Sequence, residues 1–350
     1  MTGAPRLTVR LAQESDLATW QAFVDASPEA GCMHHAGWFK ILRDAYWVTP
    51  YFFLATDDGG AIHGILPTYR SRSFLTGSHI SSLEGGVLAR CPEATRVLVA
   101  AAQALRDRVR AQYLQIRGGP VEDEAAVTAP TVRTSIMTRR GRDASWAAIK
   151  KKTRWGVRQA QKQDIAIEHD PELAKLDDFY GTYAVHMRNL GTPVIGRDGF
   201  RALREHLGRP RLRLYLVRHR TRLIGGMLCI VNADRWTDYY AVVRPPRETA
   251  FANYVLYWHV IEDACANGVV SLDLGRSTPG GNVHLFKRKW GGLDVEAPYH
   301  FYPASHARQR DMGLHALKQD KGVRQRLWSH LPLSISNRLG PLLRKQLPFI

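Results

Sequence analysis

A chain of 350 residues that is 45% apolar and 23% charged has the balance of a soluble globular protein, which excludes the disordered and membrane-spanning classes, and at about 150 residues per domain two domains are expected. Its formal net charge of +17 points to polyanionic partners: RNA, phosphorylated carriers or an anionic lipid surface. No apolar run approaches the roughly 20 residues that cross a bilayer, and the opening MTGAPRLTVRLAQESD lacks the apolar core of a signal peptide, so a cytoplasmic location is expected.

In chain order, DLATWQAFV from Asp16 has the period of an amphipathic helix. Phe53 to Ile65, FLATDDGGAIHGI, reads as strand, polar turn and strand, and Val99 to Gly118, VAAAQALRDRVRAQYLQIRG, as a helix followed by a short strand ending in glycine. Periodicity breaks between Gly118 and Arg142, and then the order returns. LDDFYGTYA from Leu176 answers the first helix. Tyr215 to Met227, YLVRHRTRLIGGM, lies 162 positions after the first hairpin with Gly226 on Gly64, and Leu256 to Gly275, LYWHVIEDACANGVVSLDLG, repeats the helix and strand at an offset of 157. Three segments matched at nearly constant offset predict a duplication: two α/β domains, residues 1–142 and 143–305, each with a late helix crossing over to a parallel strand, then a basic helical tail, 306–350.

Charge and chemistry concentrate between the matched segments. Lys150 to Lys162, KKKTRWGVRQAQK, holds six cations, no acid and Trp155, which suits either a solvated helix face or a phosphate groove with a stacking surface; its candidates are Lys150, Lys151, Lys152, Arg154, Arg158 and Lys162. Met187 to Pro193 ends in a Gly-Thr-Pro helix stop before another helix near Gly199. In DYYAVV, Tyr239 and Tyr240 alternate faces of a strand, so at most one points into a site. Ser271 to Gly275 reads as a strand that delivers the chain into an open loop, GRSTPGGNVHLFKRKWGG, from Gly275 to Gly292, with an aromatic and a cation at Phe286 and Lys287. Cys32, Cys91, Cys229 and Cys265 stand at least 36 positions apart, and the 14 histidines form no HExxH, so no disulfide framework, no metal and no tightly bound cofactor are expected.

These segments carry a resemblance. His35-Ala-Gly-Trp38 with Ala45-Tyr46 and Pro50-Tyr51, Ser82-Leu-Glu-Gly-Gly86, Met187-Arg-Asn-Leu-Gly-Thr-Pro193, Leu272-Asp-Leu-Gly-Arg-Ser277 and Phe286-Lys-Arg-Lys-Trp-Gly291 resemble the FemAB family of tandem-GNAT aminoacyltransferases, and more closely the FemAB-like proteins encoded with exosortase and exopolysaccharide systems. The likeness spans nearly the whole chain. It implies two GNAT-like domains with mixed sheets, an amine acceptor on an envelope or exopolysaccharide precursor, and catalysis at Phe286 and Lys287.

Physical chemistry gives the same lysine a task. When an amine attacks an ester or thioester, negative charge grows on the carbonyl oxygen, and a fixed cation lowers that barrier; cation–π contact with Phe286 or Trp290 would hold the ammonium. Asp273 and Arg276 bracket a strand end, where open α/β sheets present ligands. The resemblance adds Arg188 and Thr192 as cleft residues, and Tyr240, His284 and Trp290 complete the expected substrate-binding set. Asp273, His284 and His186 are the candidate proton acceptors, although an ester's leaving oxygen can itself take the proton.

Single-domain GNAT enzymes grip the coenzyme A pyrophosphate with a glycine-containing turn ahead of a helix. The corresponding stretch, Val243 to Ala250, has no glycine, and Pro245 and Pro246 remove two donors. This departure and the positive charge favour an aminoacyl-tRNA donor, with an acyl carrier protein or acyl-CoA as the alternative; an inert RNA- or membrane-binding scaffold is the non-enzymatic one. The tail has nine Lys/Arg against two Asp from Arg308 to Ile350, interleaved with Leu and Trp and divided by Pro332, Pro341 and Pro348. It suits either peripheral contact with an anionic membrane or ordinary packing on the domains.

Overall fold

A computed structural model describes residues 6–73, 77–244, 250–304 and 321–344. The turn expected to lack a pyrophosphate grip falls largely outside these residues, as do both flanks of the tail's helices. The chain divides into two compact units: Met1–Ala129 with Ala297–Trp328 and Ser334–Ile350, and Pro130–Glu296 with Ser329–Leu333. No helix among the described residues is long and apolar enough to cross a membrane.

The first unit begins with β1 (Thr8–Leu11), α1 (Leu17–Asp25) and α2 (Trp38–Asp44). The meander β2 (Thr49–Thr56), β3 (Ile62–Ser73) and β4 (Gly77–Glu84) follows, then short β5 (Leu88–Ala89), the crossover helix α3 (Pro92–Arg108), β6 (Tyr113–Arg117) and β7 (Val127–Ala129). Apolar residues at helical spacing on α3, Leu98, Ala102 and Leu105, pack on Leu66, Ile80, Leu114 and Ile116 of the sheet.

The second unit contains β8 (Val132–Ile136), α4 (Arg142–Ala148), α5 (Lys151–Ala160), β9 (Ile165–Asp170), α6 (Leu176–Asn189) and α7 (Arg197–Leu207). It continues through β10 (Leu212–His219), β11 (Arg222–Asn232), β12 (Arg235–Val243), α8 (Ala252–Ala266), β13 (Ser271–Ser277), α9 (Asn282–Arg288) and β14 (Leu293–Glu296). The crossover helix α8 buries Leu256, Val260, Ile261 and Ala264 with Met227, Leu272 and Leu274. On β11, a Cβ at Gly226 would lie 2.4 Å from the Tyr215 carbonyl oxygen and 2.9 Å from the Phe179 ring, so only glycine lets α6 rest on this strand.

After the second unit come β15 (Tyr299–Pro303), α10 (Lys321–His330) and α11 (Leu333–Arg344). The first sheet has the order β1-β2-β3-β4-β6-β15-β7 and the second, read in the same sense, β9-β10-β11-β12-β13-β8-β14. Each has one parallel pair, β4 with β6 and β12 with β13, at the same place. The duplication seen in the sequence is therefore one of sheet order as well.

The strand next to each parallel pair breaks the simple division of the chain. β8 follows the first repeat but pairs with β13, and β15 follows the second repeat but pairs with β6 and β7. The unit boundary lies at Ala129 and Pro130, ahead of the expected 142, and residues 297–304 belong with the first unit although 143–305 was expected to be continuous. Pairing decides this: the full length of β15 is hydrogen-bonded to β6, from Tyr299↔Arg117 to Pro303↔Tyr113. In the tail, Pro332 separates the two helices as expected, but Pro341 lies inside α11, where its fixed φ is compatible with helix.

Candidate active site

β12 and β13 pair in parallel over only three steps, Arg235↔Ser271, Trp236↔Leu272 and Thr237↔Asp273, and then part. Both strands are locally irregular where they separate. On β12 the pairing with β11 slips between Cys229↔Asp238 and Leu228↔Tyr240, leaving Tyr239 as an extra residue. On β13, Gly275 has φ +75° and the pairing with β8 slips between Asp273↔Ser135 and Arg276↔Arg133. Bulges of this kind bend a strand and re-aim its groups, here opening a gap at the sheet's parallel seam.

Lys287 reaches this gap from α9. It is 7% exposed, and Nζ donates to the carbonyl oxygens of Gly275 (2.9 Å) and Arg276 (2.7 Å). Burial lowers its pKa to about 8, opposed by the carboxylates of Asp238 and Asp273. The expected cation–π seat is replaced by these two carbonyls, which the bulge at Gly275 turns toward the lysine. Phe286 and Trp290 instead surround Tyr257: Trp290, wholly buried, stacks on it (5.4 Å, 21°), and Phe286 meets it edge-on (5.2 Å, 80°).

Tyr257 in turn donates its hydroxyl to Asp238 (2.8 Å). Burial raises the Asp238 pKa to about 6, opposed by the Tyr257 hydrogen bond and the charge of Lys287. Asp238 is absent from the residues that the sequence singles out. Its signal is a carboxylate in the otherwise apolar and aromatic strand WTDYYAVV, a residue type rarely buried without a reason.

The other candidates fall into distinct settings. Asp273 accepts the Gly275 N–H (2.7 Å) through Oδ1 and pairs with the Arg133 guanidinium through Oδ2, so it holds the bulged strand in shape. Arg276 contributes its carbonyl to Lys287. His284 accepts the Gly280 N–H at Nδ1 (2.9 Å) and donates from Nε2 to Asp294 (2.8 Å), which also binds Thr134 (2.8 Å) and Arg288 (3.1 Å). With Nδ1 occupied, His284 clasps the segment and has no lone pair free to act as a base.

The expected open loop is therefore largely structured: β13 runs two residues past Gly275, and Asn282–Arg288 is a helix. The Gly275 that reads as a strand end is a bulge within it. Gly291 and Gly292 are required for close packing, since a Cβ would lie 2.8 Å from Ala148 and 2.4 Å from Thr134 respectively.

Arg188, Thr192 and Tyr240 gather around α6. Arg188 donates to the Leu331 carbonyl (3.1 Å) and Asn189 Oδ1 (2.9 Å), and the Thr192 N–H closes the helix on Met187 O (3.0 Å). Tyr240 packs on Phe200 (5.4 Å), Tyr183 (4.9 Å) and Tyr239 (4.3 Å). The bulge overrides the alternation expected of Tyr239 and Tyr240, bringing the two rings into contact. His186, half-buried on the same helix, has its pKa lowered by burial and by the charge of Arg244.

The basic run forms α5. Thr153, Gly156, Val157 and Ala160 make its buried face, with Gly156 against Tyr254, while Lys150, Lys151, Lys152, Arg158 and Lys162 are exposed and Arg154 is half-buried. Trp155 is 50% exposed and lies edge-on to Phe251 (5.2 Å, 86°). The Lys150 N–H donates to the Lys289 carbonyl (3.0 Å), joining the basic helix to the segment that carries Lys287.

Residues 147–288 match the family model described as Acetyltransferase (GNAT) domain, so the second unit carries a GNAT acyltransferase domain. Among solved structures, the fold is shared with FemX at 12% identity (TM-score 0.64, covering 85% of this chain and 97% of that one). It is shared with L-PGS from Bacillus licheniformis at 10% identity (TM-score 0.55, 91% and 97%) and with a tandem GNAT protein from the clavulanic acid biosynthesis pathway at 13% (TM-score 0.54, 87% and 100%). No curated protein matches the chain. The architecture is that of tandem GNAT-like domains with mixed central sheets, as the sequence led one to expect.

Proposed function

We propose that this GNAT-fold acyltransferase moves an aminoacyl or acyl group from a polyanionic donor, aminoacyl-tRNA being favoured, to an amine on a cell-envelope or exopolysaccharide-related precursor. The observation that carries the reading is the pairing, at one opened parallel seam, of a buried lysine locked on strand carbonyls with a carboxylate whose pKa is raised to about 6. The exposed cations of α5 and the half-exposed Trp155 support a nucleic-acid donor, and the resemblance to FemAB-like proteins of exopolysaccharide systems supports the acceptor class.

In this scheme Asp238, ionised at neutral pH, takes the proton of the acceptor amine as its nitrogen attacks the donor carbonyl carbon. Negative charge collects on the carbonyl oxygen in the field of Lys287, the C–O bond to the ribose breaks, and the leaving oxygen receives the proton that Asp238 took from the amine, which restores the carboxylate. Tyr257 holds Asp238 in place. Lys287 also keeps the Gly275–Arg276 carbonyls turned inward, so its removal perturbs both charge and shape. A carrier-protein thioester would use the same groups and the same basic surface.

The exposed side of α11 extends the proposal to location. Ile335, Leu339 and Leu342 lie outward at helical spacing beside Arg338, while Ser336 and Gly340 are buried, an arrangement suited to an anionic membrane surface on which an envelope precursor resides. The reading is tested by incubating the purified chain with tRNA carrying a radiolabelled amino acid and a panel of amine-bearing precursors. Transfer that is lost in Lys287→Met and Asp238→Asn, with tRNA binding retained, supports it. Transfer unaffected by either substitution refutes it.

A further inference from the structure

A run of aromatic rings joins the basic helix to the carboxylate at the opening. On α5, a Cβ at Gly156 would lie 3.1 Å from the ring of Tyr254 on α8 and 3.4 Å from that of Phe251, so glycine is what lets the two helices close on each other. The neighbouring Trp155 meets Phe251 edge-on (5.2 Å), and Phe251 meets Tyr254 (5.8 Å, 68°). Tyr254 packs on Trp290 (5.9 Å, 46°), Trp290 stacks on Tyr257 (5.4 Å, 21°), and the Tyr257 hydroxyl donates to Asp238 (2.8 Å).

Trp290 is the joint of this run. It is wholly buried, and its indole N–H meets no acceptor among the described residues. A buried indole is ordinarily oriented by that hydrogen bond; here only the rings packed on it set its angle. Two of them, Tyr254 and Tyr257, stand three residues apart on one face of α8, and Phe286 adds an edge at 6.2 Å. Tyr254 is half-buried and its hydroxyl has no hydrogen-bond partner among the described residues, so it acts through its ring alone. In a close-packed interior a displacement of one ring is passed to the next.

The charged and titratable groups facing Asp238 are Tyr257 from α8, Lys287 from α9, Asp273 from β13 and Cys229, its partner across the ladder on β11. Lys287 is held by the Gly275 and Arg276 carbonyls, Asp273 by Arg133 and the Gly275 N–H, and Cys229 by the ladder itself. Tyr257 is the member of this set whose position depends on the rings. We propose that Tyr254 is a positioning residue: through Trp290 and Tyr257 it sets the hydrogen bond on Asp238, and so couples the basic helix α5 to the carboxylate at the opened seam. That Asp238 is the base of a transfer reaction rests on the function proposed above; the coupling does not.

The test needs no substrate. The full chain, labelled with ¹³C at the aspartate carboxyls, is titrated by NMR from pH 4 to 8, and the Asp238 signal is identified by its loss in Asp238→Asn. The Tyr257 hydrogen bond favours the ionised carboxylate, so Tyr257→Phe should move the titration up by about one unit. Tyr254→Leu should move it the same way by about half a unit, whereas Tyr254→Phe, which keeps the ring, should leave it at the wild-type position. Gly156→Ala presses a methyl group on the Tyr254 ring while improving helix propensity, so it is expected to fold and to shift the titration. Added to Tyr254→Leu, it should shift nothing further.

A Tyr254→Leu titration that matches the wild type overturns the proposal and leaves Tyr254 as packing. An unshifted Tyr257→Phe overturns it too, because the hydrogen bond would not be the link, and so does a Gly156→Ala effect that is the same with and without the ring. Because the readout is taken on the chain alone, its failure is separable from absence of transfer in the assay of the proposed function.

Discussion

The hydroxyl of Tyr257 donates to the carboxylate of Asp238 at 2.8 Å, tying the buried face of α8 to the strand that borders the opened seam. Tyr257 is itself fixed by the rings of Trp290 and Phe286, so the aromatic part of the Phe-Lys-Arg-Lys-Trp segment acts on the site through this one hydrogen bond.

The proton balance of the pair sets a pH profile. Rate should rise as Asp238 ionises through about 6 and fall as Lys287 loses its proton through about 8. Asp238→Asn should remove the lower limb and slow transfer about 10²–10⁴-fold, and Lys287→Arg, which keeps its charge, should remove the upper limb. Initial rates of transfer from pH 5 to 9.5 check this; limbs that survive both substitutions would assign the titration to other groups.

Stability should move the other way. The folded pKa of Asp238 lies above the 3.8 of the free side chain, so the folded state holds the extra proton between about pH 4 and 6. Its contribution to stability is full below that window and is lost as pH rises through 6. Asp238→Asn, which cannot ionise, should therefore be more stable than the wild type at pH 7 by on the order of 1–3 kcal/mol while losing activity. Denaturant melts at pH 5 and pH 7 decide it, the difference shrinking at the lower pH.

Gly275 carries both the bulge and an acceptor for Lys287. At φ +75° an alanine is strained, and Gly275→Ala should cost about 1–2 kcal/mol in thermal or denaturant melts. It should also shift the upper limb of the rate profile, since the carbonyls that hold the ammonium would move. A variant with unchanged stability and an unchanged profile would show that the turned backbone is not needed.

On α5, the triple substitution K151A/K152A/R158A should weaken tRNA binding and flatten its dependence on salt. For single-stranded segments the slope of log K against log salt falls by about 0.7 for each phosphate that the protein no longer neutralises. Fluorescence anisotropy at several salt concentrations measures it, and an unchanged slope would return the run to a solvated helix face.

For the tail, Leu339→Asp with Leu342→Asp should reduce sedimentation with vesicles rich in anionic lipid and leave behaviour with neutral vesicles unchanged. Equal partitioning of this variant, or of a chain ending at Ser305, with the wild type would leave the exposed leucines without a membrane role.

Local pattern and internal repetition made the hairpins, the two crossover helices and the basic helix legible in the sequence, because each depends on contacts within about 20 residues. The irregular features were not legible. Gly275 reads as a strand end because a glycine after alternating residues signals a break, and nothing local distinguishes a break from a bulge. Asp238 was hidden by the same effect on β12, where Tyr239 and Tyr240 drew the reading toward simple alternation.

The placement of β15 has a consequence for how the protein is made. It borders β6 in the first sheet, yet it leaves the ribosome roughly 180 residues later, after all of β8 to β14, which at ~5–20 residues per second is on the order of 10–40 s of synthesis. During that interval one flank of β6 has no permanent partner, and an open strand flank invites pairing with other nascent chains. Two genes cut at the repeat boundary would each encode an incomplete sheet, so once β8 and β15 had been exchanged, the ancestral duplication could no longer be undone by simple fission.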